Sequence, residues 1–311
     1  MDVQSFRPLE VLMDGLRAVE PVLVEYCASW AENEPRFWYI SPAQHLEELA
    51  LSAAAACAAG LLALLLRGRS TTALLLGGGP TRTEAVLGCF LLCCMPLNFV
   101  NKHLLQSMPL PRTIIELVLL PCHVYTSLGA IALLRTSRTS RVTCYNLMLY
   151  CAWMPLLAMA FPDLNSARAL SSPLLRVGSI SLFYVHHTVL LCTPVCLHCL
   201  AASGRFAAPS PRGAGLLQYL AFIYAFVGVL LCGASLATGH NLNYALWPPD
   251  SIRPHLGALG DERFYRVIIG ALLAFLVGPI MRHVAVPAAA ALILLPVRLI
   301  AATAKRKPKR A

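Results

Sequence analysis

Apolar runs long enough to cross a lipid bilayer recur along this chain and leave little sequence for anything else. A spanning helix needs about 20 largely apolar residues. Six segments meet or nearly meet that requirement: Leu49–Leu66, Ala85–Val100, Thr113–Leu134, Val142–Phe161, Ile180–Ala202 and Leu216–Ala237. A seventh begins near Val267 and runs to about Ile280. After Arg282 and His283 comes a proline-interrupted apolar stretch, Val284–Ile300. It reads three ways: an eighth span, an extension of the seventh, or a helix lying on the interface. The expected fold is all-α, a polytopic transmembrane helical bundle of about seven spans. Residues 49–303 form a single multi-pass membrane domain. Residues 1–48 make an N-terminal segment on the lumenal or outer side, and residues 304–311 a basic cytosolic tail.

Composition agrees. The 311 residues are 58% apolar and 13% charged, with a mean hydropathy of +0.65, against about 45–50% and about 25% in soluble domains. Disorder is excluded on these grounds, and the length argues against a disulfide-stapled secreted module. The net charge of +10 by itself suggests nucleic acid, but its distribution does not. Residues 1–48 hold nine acids and three arginines, whereas the remainder carries 22 bases against six acids. Five of those bases crowd into Lys305, Arg306, Lys307, Lys309 and Arg310. Most others sit between apolar runs, as they do in multi-pass membrane proteins. No nucleic-acid partner is expected.

Arginines in the 67–84 and 135–141 loops set these on the cytosolic side, together with the tail, and an odd number of spans follows. Arg253, Arg263 and Arg266, on the opposite side, offset part of that bias. No cleavable signal is expected, because the first apolar run follows an acidic leader. Lysines three and five positions from the end resemble the dilysine retrieval signals of endoplasmic-reticulum membrane proteins; an electrostatic anchor for anionic lipid reads the same residues equally well.

Ionisable groups inside spans are costly and mark functional candidates. They concentrate in two helices. The third span carries Glu116 and Pro121-Cys122-His123; the fifth carries Tyr184, His186, His187 and His198. Both spans run in the same direction. Cys122 lies nine residues from the start of its span and His187 seven from the start of its own, which at about 1.5 Å per residue gives similar depths. A buried thiol is inert in apolar surroundings but becomes a nucleophile beside an imidazole. Packing remains the default role of a cysteine in a chain with twelve of them. Pro121 cannot donate to Leu117 C=O, so the helix should kink beside the thiol. His123 points about 100° away from Cys122 around the helix and faces another partner or orients substrate. Glu116 pairs with Arg112 or Lys102, or holds His187 in its tautomer. Cys192, Cys196 and Cys199 share a helical face beside His198, but structural zinc sites rarely use one continuous helix; no metal and no cofactor is expected.

Further short motifs accompany these residues: Phe161-Pro162 and Asn165 after the fourth span, Tyr184-Val185-His186-His187 with Pro194 beyond, Asn241-Leu242-Asn243 before Pro248, and Gly278-Pro279. In this order, with Pro121-Cys122-His123, they resemble the transmembrane protein 164 family, a seven-span endoplasmic-reticulum family related to bacterial YwaF-type membrane proteins. The likeness covers about Thr113–His198 and His240–Pro279; residues 1–110 match only in hydropathy. It implies a cysteine-dependent acyltransferase that moves a polyunsaturated acyl chain from a phospholipid donor onto a lysophospholipid acceptor, notably an ether-linked one. The family's cysteine falls on Cys122 and its histidine on His187. His186 adds a second imidazole and leaves the choice of base open. His123, His186, Glu116, Asn241 and Asn243 become candidate substrate contacts. Two other functions remain in view: an intramembrane lipid hydrolase using the same pair, and a proton-coupled transporter in which Glu116 and the histidines relay protons. The absence of an internal repeat weighs against the transporter. The sequence leaves headgroup specificity and oligomeric state open.

Overall fold

A computed structural model describes residues 14, 15, 18, 21, 42–67, 80–162, 164–202, 204, 206, 210–238, 242, 253–257 and 262–305. Asn241, Asn243, most of the 1–48 segment and the tail beyond Lys305 lie outside the described residues. Among the described residues every regular element is helical. Among these residues six helices are long and apolar enough to cross a membrane, or seven when one bent pair is counted as a span. The chain is an all-α polytopic bundle.

The elements run in this order. α1 is Pro42–Arg67, and α2 is Arg82–Val100. The third span is the bent pair, α3 (Leu110–Leu119) and α4 (Pro121–Leu134); the fourth comprises α5 (Arg138–Cys151) and α6 (Trp153–Ala160). A short α7 (Asn165–Arg168) precedes α8 (Pro173–Ala202). α9 (Arg212–Ile223) continues through a π-helical stretch into α10 (Cys232–Thr238); α11 (Arg253–Leu256) and α12 (Glu262–Leu272) follow. The last helix passes from α12 through π turns at Leu273–Val277 and Met281–Ala285, with α13 (Gly278–Ile280) between them, into α14 (Val286–Lys305).

Several local rules explain these boundaries. Thr81 caps α2: its hydroxyl accepts from Glu84 N–H at 3.2 Å, and the Glu84 carboxylate accepts from Thr81 N–H at 2.6 Å, a reciprocal capping box. The α5–α6 junction at Ala152 precedes Pro155, whose missing N–H leaves the ladder unable to run on. The apolar stretch after His283 extends the seventh span: Ile268–Pro296 is one candidate span. Pro279 and Pro287 each fall within two residues of the start of an α segment that follows a π turn, where a missing donor is least damaging. The second span also outruns its apolar stretch. Its π turn Asn101–Leu105 carries Lys102 on into the helix.

Internal packing groups the residues into two units, Met1–Leu65 with Leu220–Ala274, and Leu66–Tyr219 with Phe275–Ala311. In the first unit Ser52 of α1 fits against Gly228, and an ion pair joins Glu48 to Arg266. The second unit packs α4 between α2 and α5, with α8 against α4, α6 and α14. Its centre is the continuously buried run from Cys144 to Pro155, apolar nearly all round as a fully enclosed helix must be. Tyr125 donates to Met148 C=O at 3.0 Å, and the Tyr150 and Tyr219 rings stack at 4.7 Å. A buried ion pair at 2.7 Å, Glu84 to Arg141, ties α2 to α5.

Candidate functional site

The site starts where the third span breaks. Proline drives the residue before it out of the helical region, and Leu120 is extended, with φ −62° and ψ 134°. Leu120 N–H donates to Glu116 C=O at 3.0 Å and closes α3; Leu120 C=O then accepts from His123 and Val124 N–H at 2.9 and 3.0 Å and opens α4. The two helices are bent by 54°. The anticipated kink is therefore a complete break, and Cys122 becomes the second residue of a new helix. Its thiol faces the backbone N–H groups of Cys122 and His123. First-turn amides favour negative charge at such a position.

Three histidines gather around this break. His123 is buried, and its Nδ1 lies 3.0 Å from Glu116 C=O. A carbonyl only accepts, so Nδ1 carries the proton. The His123 ring stacks toward His186 with centroids 6.1 Å apart, and His186 is 5.4 Å from His187.

The two adjacent imidazoles of α8 differ in kind. His186 is engaged at both nitrogens: Asn98 Nδ2 donates to Nδ1 at 3.3 Å, and Nε2 lies 2.8 Å from Thr126 Oγ1. Thr126 donates its one proton to Cys122 C=O at 2.7 Å, so His186 Nε2 must donate to Thr126. His186 thus joins α2, α4 and α8 and has no lone pair left to offer. His187 is engaged at one nitrogen only. Its Nδ1 donates to Phe183 C=O at 2.8 Å, and its Nε2 is buried without a hydrogen-bond partner. That arrangement leaves the Nε2 lone pair exposed to the interior, as a general base requires. The two imidazoles therefore differ in whether a ring nitrogen is left unpaired.

Glu116 does not hold His187. Its carboxylate pairs with Lys102, which reaches it from the π turn after α2, and with Arg112 Nε at 3.0 Å, one turn back on α3. The Lys102 ammonium remains within electrostatic reach of Cys122, His123 and His187. The connection that delivers it is tightly held. Ser107 adopts a left-handed φ of 54°, Gln106 Nε2 donates to buried Ser179 on α8 at 3.0 Å, and His103 Nδ1 donates to Met108 C=O at 2.8 Å.

Cys122, His123, His186, His187 and Glu116 are therefore brought to one region of the second unit. The Cys122 thiol and His187 Nε2 are not hydrogen-bonded to each other in the structure. Counting depth along straight helices does not place these residues, because the third span is broken and α8 begins at Pro173, ahead of Ile180. The packing of α4 on α8 brings their two helices together. Asn98, Lys102 and Thr126 belong to the same network; the sequence offered Lys102 as a partner of Glu116, as found, and left Asn98 and Thr126 unassigned. A signal was present for Asn98: it and Lys102 are polar residues one helical turn apart, next to an apolar run. Thr126 lies one turn after Cys122, where a hydroxyl usually bonds its own helix.

No curated protein and no solved structure matches the chain. The model of the TMEM164 family matches residues 39–281, taking in α1 and α2, where only hydropathy was legible, as well as the Pro-Cys-His break and the paired histidines. The chain belongs to the TMEM164 family.

Proposed function

We propose that this protein is a membrane-embedded, cysteine-dependent acyltransferase that moves an acyl chain, polyunsaturated by preference, from a phospholipid to a lysophospholipid, ether-linked acceptors included. The endoplasmic-reticulum membrane is the proposed location. The observation that carries this reading is the state of His187: a buried imidazole with its Nδ1 proton locked to a backbone carbonyl and its Nε2 unpaired, in a histidine cluster on the helix packed against α4, whose first turn carries Cys122.

In the reaction, His187 Nε2 accepts the Cys122 thiol proton as the sulfur attacks the donor ester carbonyl. The S–C bond forms, the ester C–O bond breaks, and the leaving alkoxide takes the proton back from His187. The lysophospholipid hydroxyl then gives its proton to Nε2 and attacks the thioester, and the sulfur leaves and regains that proton. The thiol and Nε2 must come within about 2.6–3.2 Å during this sequence, and such contacts tighten on substrate binding. N–H groups at the start of α4 would oppose charge on the carbonyl oxygen. His123 and Glu116, with Lys102, shape the wall of the site.

The test is acyl-chain analysis of membranes containing the wild type, Cys122→Ala or His187→Ala, supplied with an isotope-labelled lysophospholipid. Labelled diacyl product from the wild type and none from Cys122→Ala supports transfer. Accumulation of free fatty acid in its place assigns hydrolysis, and full turnover by Cys122→Ala removes the nucleophile assignment.

A further inference from the structure

A second polar centre lies about 16 Å along α8 from His187, counting eleven residues to His198. There a cavity of about 330 Å³ is lined by His198, Ser210, Arg212, Arg282 and His283 with Leu149. Among the described residues no carboxylate lines it.

Arg282 is the unusual member. It sits in a membrane-length helix and is 5% exposed. Several basic side chains in or beside the described spans have acidic partners: Arg141 has Glu84, Lys102 and Arg112 share Glu116, and Arg266 has Glu48. Arg282 has no carboxylate partner among the described residues. Its guanidinium lies 4.8 Å from the centroid of the Tyr150 ring, and Nη2 donates to Ser210 C=O, but Nη1 is buried with no hydrogen-bond partner. A buried cation compensated by a carbonyl dipole and the Tyr150 side chain, without a carboxylate, is costly and marks a site in a membrane helix.

The surroundings are fixed. Asn146 Nδ2 donates to Gly215 C=O at 3.0 Å and to Gln218 Oε1 at 3.1 Å, and Ser210 Oγ donates to the same Gln218 oxygen at 3.3 Å. Gly215 leaves room for the guanidinium; a Cβ there would lie 2.7 Å from Asn146 Oδ1 and 3.1 Å from Arg282 Cζ. The first turn of α9 opens at the cavity with Arg212, and its amides favour an anion. Tyr145 Oη lies 3.1 Å from His198 Nδ1. The π turn Met281–Ala285 supplies Arg282 and His283 as neighbours; single π turns inside helices recur at functional sites.

We propose that this cavity binds a phosphate-bearing anion, with Arg282 as its buried anchor and His198, His283 and Arg212 around it. The site is independent of the Cys122 chemistry and stands or falls without it. A phospholipid headgroup and a soluble phosphate compound share the chemistry.

The experiment follows thermal unfolding of the full chain in detergent by intrinsic fluorescence. One arm adds sodium phosphate against sodium chloride at equal ionic strength; the other adds dihexanoyl phosphatidate. A ligand of the folded state raises the unfolding midpoint. The expected result is a rise in at least one arm that Arg282→Gln abolishes. A rise with inorganic phosphate assigns a soluble ligand, and a rise with phosphatidate alone assigns a headgroup. Should Arg282→Gln fail to fold, the double variant Arg212→Gln with His283→Gln keeps the anchor. It should weaken the half-saturating concentration about tenfold, which is about 1.4 kcal/mol. No rise in either arm for the wild type, or an undiminished response in the variants, overturns the proposal.

Discussion

His186 Nε2 and Thr126 Oγ1 lie 2.8 Å apart, and the direction of that bond divides the labour between two adjacent imidazoles. Thr126 gives its proton to Cys122 C=O, so it receives from His186. His186 therefore holds α4 in place through Thr126, which in turn bonds the Cys122 carbonyl, while His187 keeps Nε2 unpaired.

The two histidines should accordingly fail in different ways. His187→Ala is expected to cut acyl transfer about 10²–10⁴-fold, the range for loss of a general base, with the unfolding midpoint little changed. His186→Ala leaves Asn98 and Thr126 buried without their partner, at about 1–3 kcal/mol for each group stranded. Its unfolding midpoint should fall. Equal turnover losses with equal midpoints in both variants would remove the distinction.

Pro121 is expected to matter through the break it creates. Pro121→Ala restores an amide donor and frees Leu120 to become helical, which would merge α3 and α4 into one helix and rotate Cys122 out of its first-turn position. Turnover should drop while helix content, by far-ultraviolet circular dichroism, holds or rises slightly. Unchanged turnover would show that the broken geometry has no part in the chemistry.

Glu116 carries two cations on a carboxylate whose side chain is 10% exposed. Glu116→Gln leaves the Lys102 charge largely enclosed and unpaired, and breaking a buried pair in this way costs about 3–5 kcal/mol. Replacing both, Glu116→Gln with Lys102→Met, should recover much of that loss, because no stranded charge remains. Unfolding midpoints of the two single variants and the double form a cycle that measures the coupling. Additive effects would show that the pair contributes nothing.

The helical architecture was legible in the sequence because lipid imposes it: length and apolarity define a span almost without regard to its neighbours. Cys122, His187 and Glu116 were legible for the same reason, as polar residues where lipid should exclude them. The partners of Glu116, Arg112 and Lys102, were legible too, and the π turn Asn101–Leu105 is what carries Lys102 to it. What the sequence hid was the partner set of the histidines, Asn98 and Thr126. Arg282 read as the end of a span because a charge followed by His283 looks like a boundary; in the folded chain the helix continues through it. Which imidazole keeps a free nitrogen depends on contacts from two other helices, and no spacing rule within α8 contains that information.

The packing that supports this network can be tested at two glycines. Gly88 is where α2 meets the end of α4: a Cβ there would lie 2.6 Å from Leu134 Cγ and 3.2 Å from Leu133 Cβ. Leu133 is 1% exposed and has no room to withdraw. Small residues permit such close approach of helices in membranes. Gly88→Val should therefore force α2 off α4, at about 1–3 kcal/mol for overpacking, and with it pull Asn98 from His186. Gly178, in α8, has nothing within 4 Å of its Cβ position. Gly178→Ala should be neutral or stabilise by about 0.5–1 kcal/mol, the usual gain from removing a helix glycine. Unfolding midpoints and acyl transfer should fall together in Gly88→Val and remain at wild-type levels or above in Gly178→Ala. If Gly88→Val keeps both, the α2–α4 contact does not position the site.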